Sequence, residues 1–152
     1  MTRVPDYSYT SYLRATATQV WDALTDPETT GRYWGHRQVS TWRVGDPVEH
    51  VRVDGSGIAD AGGRVLEADA PRRLSFTFGD PGAEEEPGRR SVVAFDIEEG
   101  AGIVRLTITH TELPSPEDRA AVEIGWPAVF SNLKTLLETG EVLPQEPWTF
   151  ED

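Results

Sequence analysis

The longest run of helical spacing among the apolar positions of this chain lies near the C-terminus. From residue 125 to 140 they fall at Trp126, Val129, Phe130, Leu133, Leu136 and Leu137, the three- and four-residue steps of one helix face. Ser131, Lys134, Thr135 and Glu138 fall mostly on the other face. Pro127 suits only a first turn, where its missing N–H costs no bond, so the helix is predicted to start near Trp126. Gly140 reads as the residue that ends it, with Pro144 just beyond. Upstream the pattern is mostly alternating. Residues 7–14 read as a first strand, and 15–26 as a helix that Thr16 or Thr18 can cap, with Val20, Trp21 and Leu24 inward. Residues 27–34 read as a second short helix. Six further strands are predicted at 38–43, 48–53, 57–69, 73–78, 91–99 and 103–111.

The connections carry turn chemistry: Gly45-Asp46-Pro47, Asp54-Gly55-Ser56-Gly57, Asp69-Ala70-Pro71 and Glu99-Gly100-Ala101-Gly102. Short, regularly spaced strands with such turns predict an antiparallel meander, and a long helix after it needs a sheet to cover. The segment 80–90, with Glu84, Glu85 and Glu86, reads as a solvated, mobile hairpin tip. Residues 143–152 read as an irregular tail. A length of 152 residues predicts one domain, 1–152, with its core in 7–142.

Composition narrows the function. A formal charge of −12 disfavours nucleic acid, whose phosphates would be repelled. No apolar run approaches the roughly 18 residues of a membrane span, so no membrane insertion is expected. The N-terminus lacks the apolar core of a secretory signal. The absence of cysteine removes disulfide and thiolate chemistry and fits a cytoplasmic location. A single lysine among many arginines fits a GC-rich bacterial genome.

The order of elements resembles the helix-grip fold of the START-like, or SRPBCC, superfamily. More specifically, it is similar to the branch of homologues of the heat-shock-protein-90 ATPase activator. The resemblance is carried by Val20-Trp21-Asp22-Ala23-Leu24-Thr25-Asp26-Pro27, by Gly63-Arg64-Val65-Leu66-Glu67-Ala68-Asp69-Ala70-Pro71-Arg72-Arg73-Leu74, by Leu106-Thr107-Ile108-Thr109-His110-Thr111, and by Gly125-Trp126 with Leu133-Lys134 and Leu137-Glu138. It implies an α+β fold: a curved antiparallel sheet of about seven strands around a long C-terminal helix, with two short helices after the first strand. The chain departs from the family where Gly45-Asp46-Pro47 replaces a usual Gly-Gly pair, a stiffer loop less suited to gating a ligand. Members of the superfamily bind hydrophobic small molecules, cyclise or dehydrate polyketides, or contact chaperones, and the fold does not choose among these.

Strand parity sketches a candidate site. Leu74, Phe76 and Phe78 share one strand face, as do Leu106, Ile108 and His110. Both faces should look at Trp126, Val129, Phe130 and Leu133, with a ligand cavity between them. His110 then reads either as a polar anchor or proton-transfer group, or as a histidine bonded to backbone at the rim. His50 and Arg52 can point inward with Val48 and anchor a carboxylate or carbonyl. Alternatively, Val51 and Val53 form the core side, which simple alternation favours. Tyr33 and Trp34 can line the mouth or belong to the core. Asp22 and Asp26 read as helix-surface carboxylates.

Other chemistries are disfavoured. No Gly-rich phosphate loop opens a helix. His36, His50 and His110 lack metal-ligand spacing. No Gly-x-Ser-x-Gly elbow occurs, since Asp54-Gly55-Ser56-Gly57 lacks its flanks. No catalytic residue, metal or cofactor is therefore assigned. The leading expectation is a protein that binds a hydrophobic or aromatic small molecule, in a stress or sequestration role. The alternatives are a cyclase-, dehydratase- or hydrolase-type enzyme using the same cavity, and a chaperone ATPase-regulating interaction domain. A homodimer is compatible with each.

Overall fold

Capping residues divide the first third of the chain. Thr16 accepts from the Gln19 amide, and the Gln19 side chain accepts from the Thr16 amide, which starts α1 (Ala17–Thr25). Asp26 ends α1 and caps α2 (Pro27–Tyr33), with Pro27 in the first turn. Before them lies β1 (Tyr7–Leu13). After them come β2 (His36–Ser40), β3 (Pro47–Arg52), β4 (Ala59–Asp69), β5 (Arg73–Gly79), β6 (Arg90–Glu99) and β7 (Val104–Thr111). The helix α3 (Pro116–Thr139) follows, then a single 3-10 turn (Pro147–Thr149). This architecture is that of a computed structural model, which describes residues 3–83 and 86–150.

The strands form one antiparallel sheet in the order β1-β7-β6-β5-β4-β3-β2. Two irregularities bend it, one between His50 and Val51 on β3 and one between Val65 and Glu67 on β4. At Gly63 β4 runs so close to β5 that a Cβ would stand 1.7 Å from the Thr77 carbonyl oxygen, so only glycine fits there. The Thr77 hydroxyl takes the Arg64 amide at 2.9 Å in place of a regular ladder bond. The concave face carries a row in register: Tyr9 opposite Ile108, Ile108 opposite Phe95, and Phe95 opposite Leu74. Leu106, Ile108 and Leu74 are fully buried there.

Helix α3 lies against this face through Trp126, Val129, Phe130, Leu133 and Leu136, the stripe read from the sequence. Its start differs from the reading. It begins at Pro116, about ten residues before Trp126, because Ser115 accepts from the Asp118 amide and Pro116, Glu117 and Asp118 make a favourable first turn. Pro127 consequently sits inside the helix, where it removes one backbone bond. The added half has no stripe: Ala120, Ala121 and Ile124 are exposed, and Val122 is half-buried.

Other elements shift for local reasons. β2 ends at Ser40 instead of 43, because Trp42 takes a left-handed backbone (φ 59°) and donates its indole N–H to the Thr25 carbonyl at 2.9 Å. On α1 the fully buried residues include Val20, Ala23 and Leu24, while Trp21 is only half-buried at the margin of the core. The tail is less irregular than expected. Asn132, itself buried, donates to the Tyr33 carbonyl and accepts from the Leu143 amide, and Trp148 packs over Gly35. Of the predicted solvated tip, Glu84 and Glu85 lie outside the described residues. Glu86 is exposed and pairs with Arg89, but Ala83 is 1% exposed and lies against the body.

Phe130 is 1% exposed and packs on Tyr9, Phe95 and Trp126 with ring centroids 5.6 to 6.4 Å apart. Replacing it with alanine empties the junction of helix and sheet. Phe130→Ala is expected to lower unfolding free energy by about 3–5 kcal/mol, read from the urea midpoint. A midpoint within error of wild type would contradict this packing.

Candidate functional site

The interior between α3 and the sheet is filled by rings. Phe95 meets Phe76 at 6.1 Å, Trp126 at 5.7 Å and Trp34 at 6.3 Å, and Trp34 meets Trp126 at 5.2 Å. Val129 and Leu133 complete the helix side. Tyr33 is fully buried and donates its hydroxyl to the Ala23 carbonyl at 2.9 Å, with burial pushing its pKa up. It is a core residue that ties α2 to α1. Trp34 is half-buried and bridges the core to His50, 5.5 Å away.

One surface cleft adjoins an end of this core. A cleft of about 390 Å³ opens between the β5–β6 connection and the first half of α3. Phe78, Ala83, Leu113, Ala121 and Val122 give it apolar walls, and Ser91, His110, Arg89 and Asp118 supply polar groups. His110 is 2% exposed and has both nitrogens engaged. Its Nδ1 accepts the Trp126 indole N–H at 3.0 Å. Indole can only donate, so the proton of the neutral ring sits on Nε2, which donates to the Ser91 hydroxyl at 2.6 Å. Ser91 in turn donates to the Phe78 carbonyl at 3.0 Å. The chain of donors runs one way, from Trp126 through His110 and Ser91 to backbone. Burial holds the His110 pKa down at about 4. No lone pair is left for proton abstraction, and the Ser91 proton is committed to a carbonyl.

A second polar group sits across Phe78, whose ring lies 6.4 Å from His110 and 5.5 Å from His50. On β3 the buried residues are Val48 and His50, so the core side is not Val51 and Val53. Val51 is half-buried and Val53 is exposed. The irregularity after His50 parts it from Arg52, which turns outward and holds Asp60 through Nε and Nη2 at 2.8 to 3.0 Å. That bond is the main reason the Asp60 carboxyl lies well below the usual carboxylate range. His36 joins Asp60 through Nε2 at 2.8 Å and stacks on His50 with centroids 4.1 Å apart. Gln38, opposite His50 in the β2–β3 register, donates its amide to His50 Nδ1. Burial, then the neighbouring His36, holds the His50 pKa down at about 3. Among the described residues, no group of three or more His, Cys, Asp or Glu is placed to hold a metal.

Sequence reasoning did not find Ser91 or Gln38. Ser91 was within reach, since it has the same parity as Val93 and Phe95. Gln38 was not, because only the strand register sets it opposite His50.

A curved antiparallel sheet gripping one long helix, with a cleft at the open end, defines a helix-grip protein of the α+β class. The chain belongs to the family described as activator of Hsp90 ATPase homolog 1-like protein, whose model matches residues 14–138. Solved structures share the fold at low identity. CalU16 from Micromonospora echinospora is 23% identical, with 89% of this chain and 77% of that one covered and a TM-score of 0.69. The Aha1 dimer from Colwellia psychrerythraea is 17% identical, with 90% and 98% covered and a TM-score of 0.73. PFC0360w, an HSP90 activator from Plasmodium falciparum, is 18% identical, with 88% and 96% covered and a TM-score of 0.72. No curated protein sequence matches. No described helix is long and apolar enough to cross a membrane.

Acid should act on this site in a defined window. The native His110 pKa of about 4 lies below its ordinary value of 6.5, so on acidification the unfolded chain takes the proton first. The stability His110 contributes is complete above pH 6.5 and is lost as pH falls toward 4, by an amount on the order of 3 kcal/mol. His50 adds a loss of the same sign over a window reaching about pH 3. The urea midpoint should fall from pH 7 to pH 4.5, and His110→Gln should flatten that fall. Equal slopes for the two proteins would show that His110 is not held neutral.

Proposed function

We propose that this protein binds a hydrophobic or aromatic small molecule at the open end of the grip. The supporting observation is the cleft of about 390 Å³ walled by Phe78, Leu113, Ala121 and Val122, with His110 and Ser91 as its polar floor. Apolar walls with a few fixed polar groups favour a ligand held by buried area and oriented by one edge. On this reading the ligand lies beside the Phe78 and His110 end of the sheet, away from the rings of Phe76, Phe95 and Phe130. The committed protons of His110 and Ser91 favour binding over catalysis at this position. On this reading the protein carries or sequesters its ligand in the cytoplasm, as a monomer or a homodimer.

Trp126 reports on the cleft, since its indole bonds to His110. Titration with naphthalene and with 2-naphthol should give a saturable change in tryptophan fluorescence. Ala121 is exposed and lines the cleft, so Ala121→Phe should fill it without disturbing the core. Binding should weaken tenfold or more in that variant while its melting temperature stays near wild type. Failure of every aromatic probe to bind, or full affinity in Ala121→Phe, would exclude the cleft as the site. A chaperone ATPase-regulating interaction, the reading the family's name raises, would then come first.

A further inference from the structure

The two polar groups that flank Phe78 differ in one respect. His110 and Ser91 are satisfied, whereas the pair Gln38 and His50 is not. Gln38 is 1% exposed, and its amide oxygen Oε1 is buried with no partner. His50 is 8% exposed, and among the described residues its Nε2 carries no hydrogen bond. Native proteins rarely leave a buried amide atom unpaired, and an exception points to something that completes it.

The pair has a definite polarity. With the Gln38 amide donating to His50 Nδ1, the neutral imidazole carries its proton on Nε2. The free groups are then one donor, His50 Nε2–H, and one acceptor, Gln38 Oε1. Turning the amide over exchanges the roles but again leaves one donor and one acceptor. Aromatic rings surround the pair: Trp34 and Phe78 lie edge-on to His50 at 5.5 Å, and His36 stacks on it. Among the described residues beside the pair, the cationic groups are already engaged or held neutral. Arg52 is bound to Asp60, His36 is bound to the same carboxylate, and burial keeps His50 neutral.

We propose that Gln38 and His50 form the polar end of the ligand site, reached past Phe78, and that they select a neutral hydroxylated aromatic such as a phenol. This rests on the reading that the cleft binds aromatic molecules: Phe78 lines the cleft, and its ring stands 5.5 Å from His50, which lies behind it. A phenolic hydroxyl both donates and accepts, so it matches either orientation of the amide. A hydrocarbon leaves the pair unsatisfied, and a carboxylate brings a charge with nothing to neutralise it.

Three probes of similar shape test the inference: naphthalene, 2-naphthol and 2-naphthoate, titrated at pH 7.5. In wild type, 2-naphthol should bind at least tenfold more tightly than naphthalene, and 2-naphthoate should bind most weakly. Gln38→Met keeps the volume and removes the amide. It should erase the preference for 2-naphthol without weakening the binding of naphthalene, which no longer leaves a buried amide unsatisfied. On unaltered protein, the ¹⁵N resonance of His50 Nε2 should shift with 2-naphthol and stay in place with naphthalene. This readout decides the matter should Gln38→Met fail to fold. Equal affinity for naphthalene and 2-naphthol, or a 2-naphthol preference with an unmoved His50 resonance, overturns the inference. The pair would then be completed by buried water alone. If none of the three binds, the cleft reading itself falls, which is a separate outcome.

Discussion

The indole of Trp126 holds the helix to the sheet by two kinds of contact at once. Its ring packs on Trp34, Phe95 and Phe130, and its N–H donates to His110 on β7. The first is non-directional and tolerates small shifts of the helix. The second is directional, and because indole cannot accept, it fixes the tautomer of His110 and hence the direction of the Ser91 bond. A rotation of α3 that kept the ring contacts would break this chain and leave a buried imidazole unsatisfied. Position and orientation of the grip helix are therefore set by separate interactions on one side chain.

Sheet curvature is the complementary constraint. The irregularities on β3 and β4 and the close approach at Gly63 bend the sheet. The same irregularity on β3, lying after the inward His50, turns Arg52 outward, so the device that shapes the sheet also assigns the polar groups. Arg52, His36 and Asp60 then form a half-exposed ion-pair network at the rim, which is worth little in stability but takes up the local charge. Among the described residues, the buried polar side chains carry no permanent charge.

What the sequence showed and what it concealed follow from this. The helical stripe from Trp126 to Leu136 and the parity of Leu74, Phe76, Phe78, Leu106, Ile108 and His110 depend on local periodicity, and they were legible. The start of α3 was concealed because Pro127 looked like a helix opener, although Ser115-Pro116-Glu117-Asp118 carries a full N-terminal signature. The parting of Arg52 from His50 was concealed for a different reason. A bulge resets parity, and nothing in Val48-Glu49-His50-Val51-Arg52 announces one. The pairing of Gln38 with His50, and of His110 with Ser91, is a matter of register between strands, which a single sequence does not state.

Hydrogen-bond satisfaction separates the two histidines more sharply than their surroundings do. Both are buried, both are held neutral, and both face Phe78. His110 is closed on both nitrogens by groups from α3 and β6, so its role is complete within the fold. His50 is closed on one nitrogen only, by an amide whose own oxygen is unpaired. A polar group that the fold completes holds structure together. One that the fold positions and leaves incomplete costs stability in the free protein, and a ligand that completes it recovers that cost as affinity. Both histidines therefore bear on acid stability, and on the proposed reading ligand selectivity rests on His50 and Gln38, with Phe78 between the two groups.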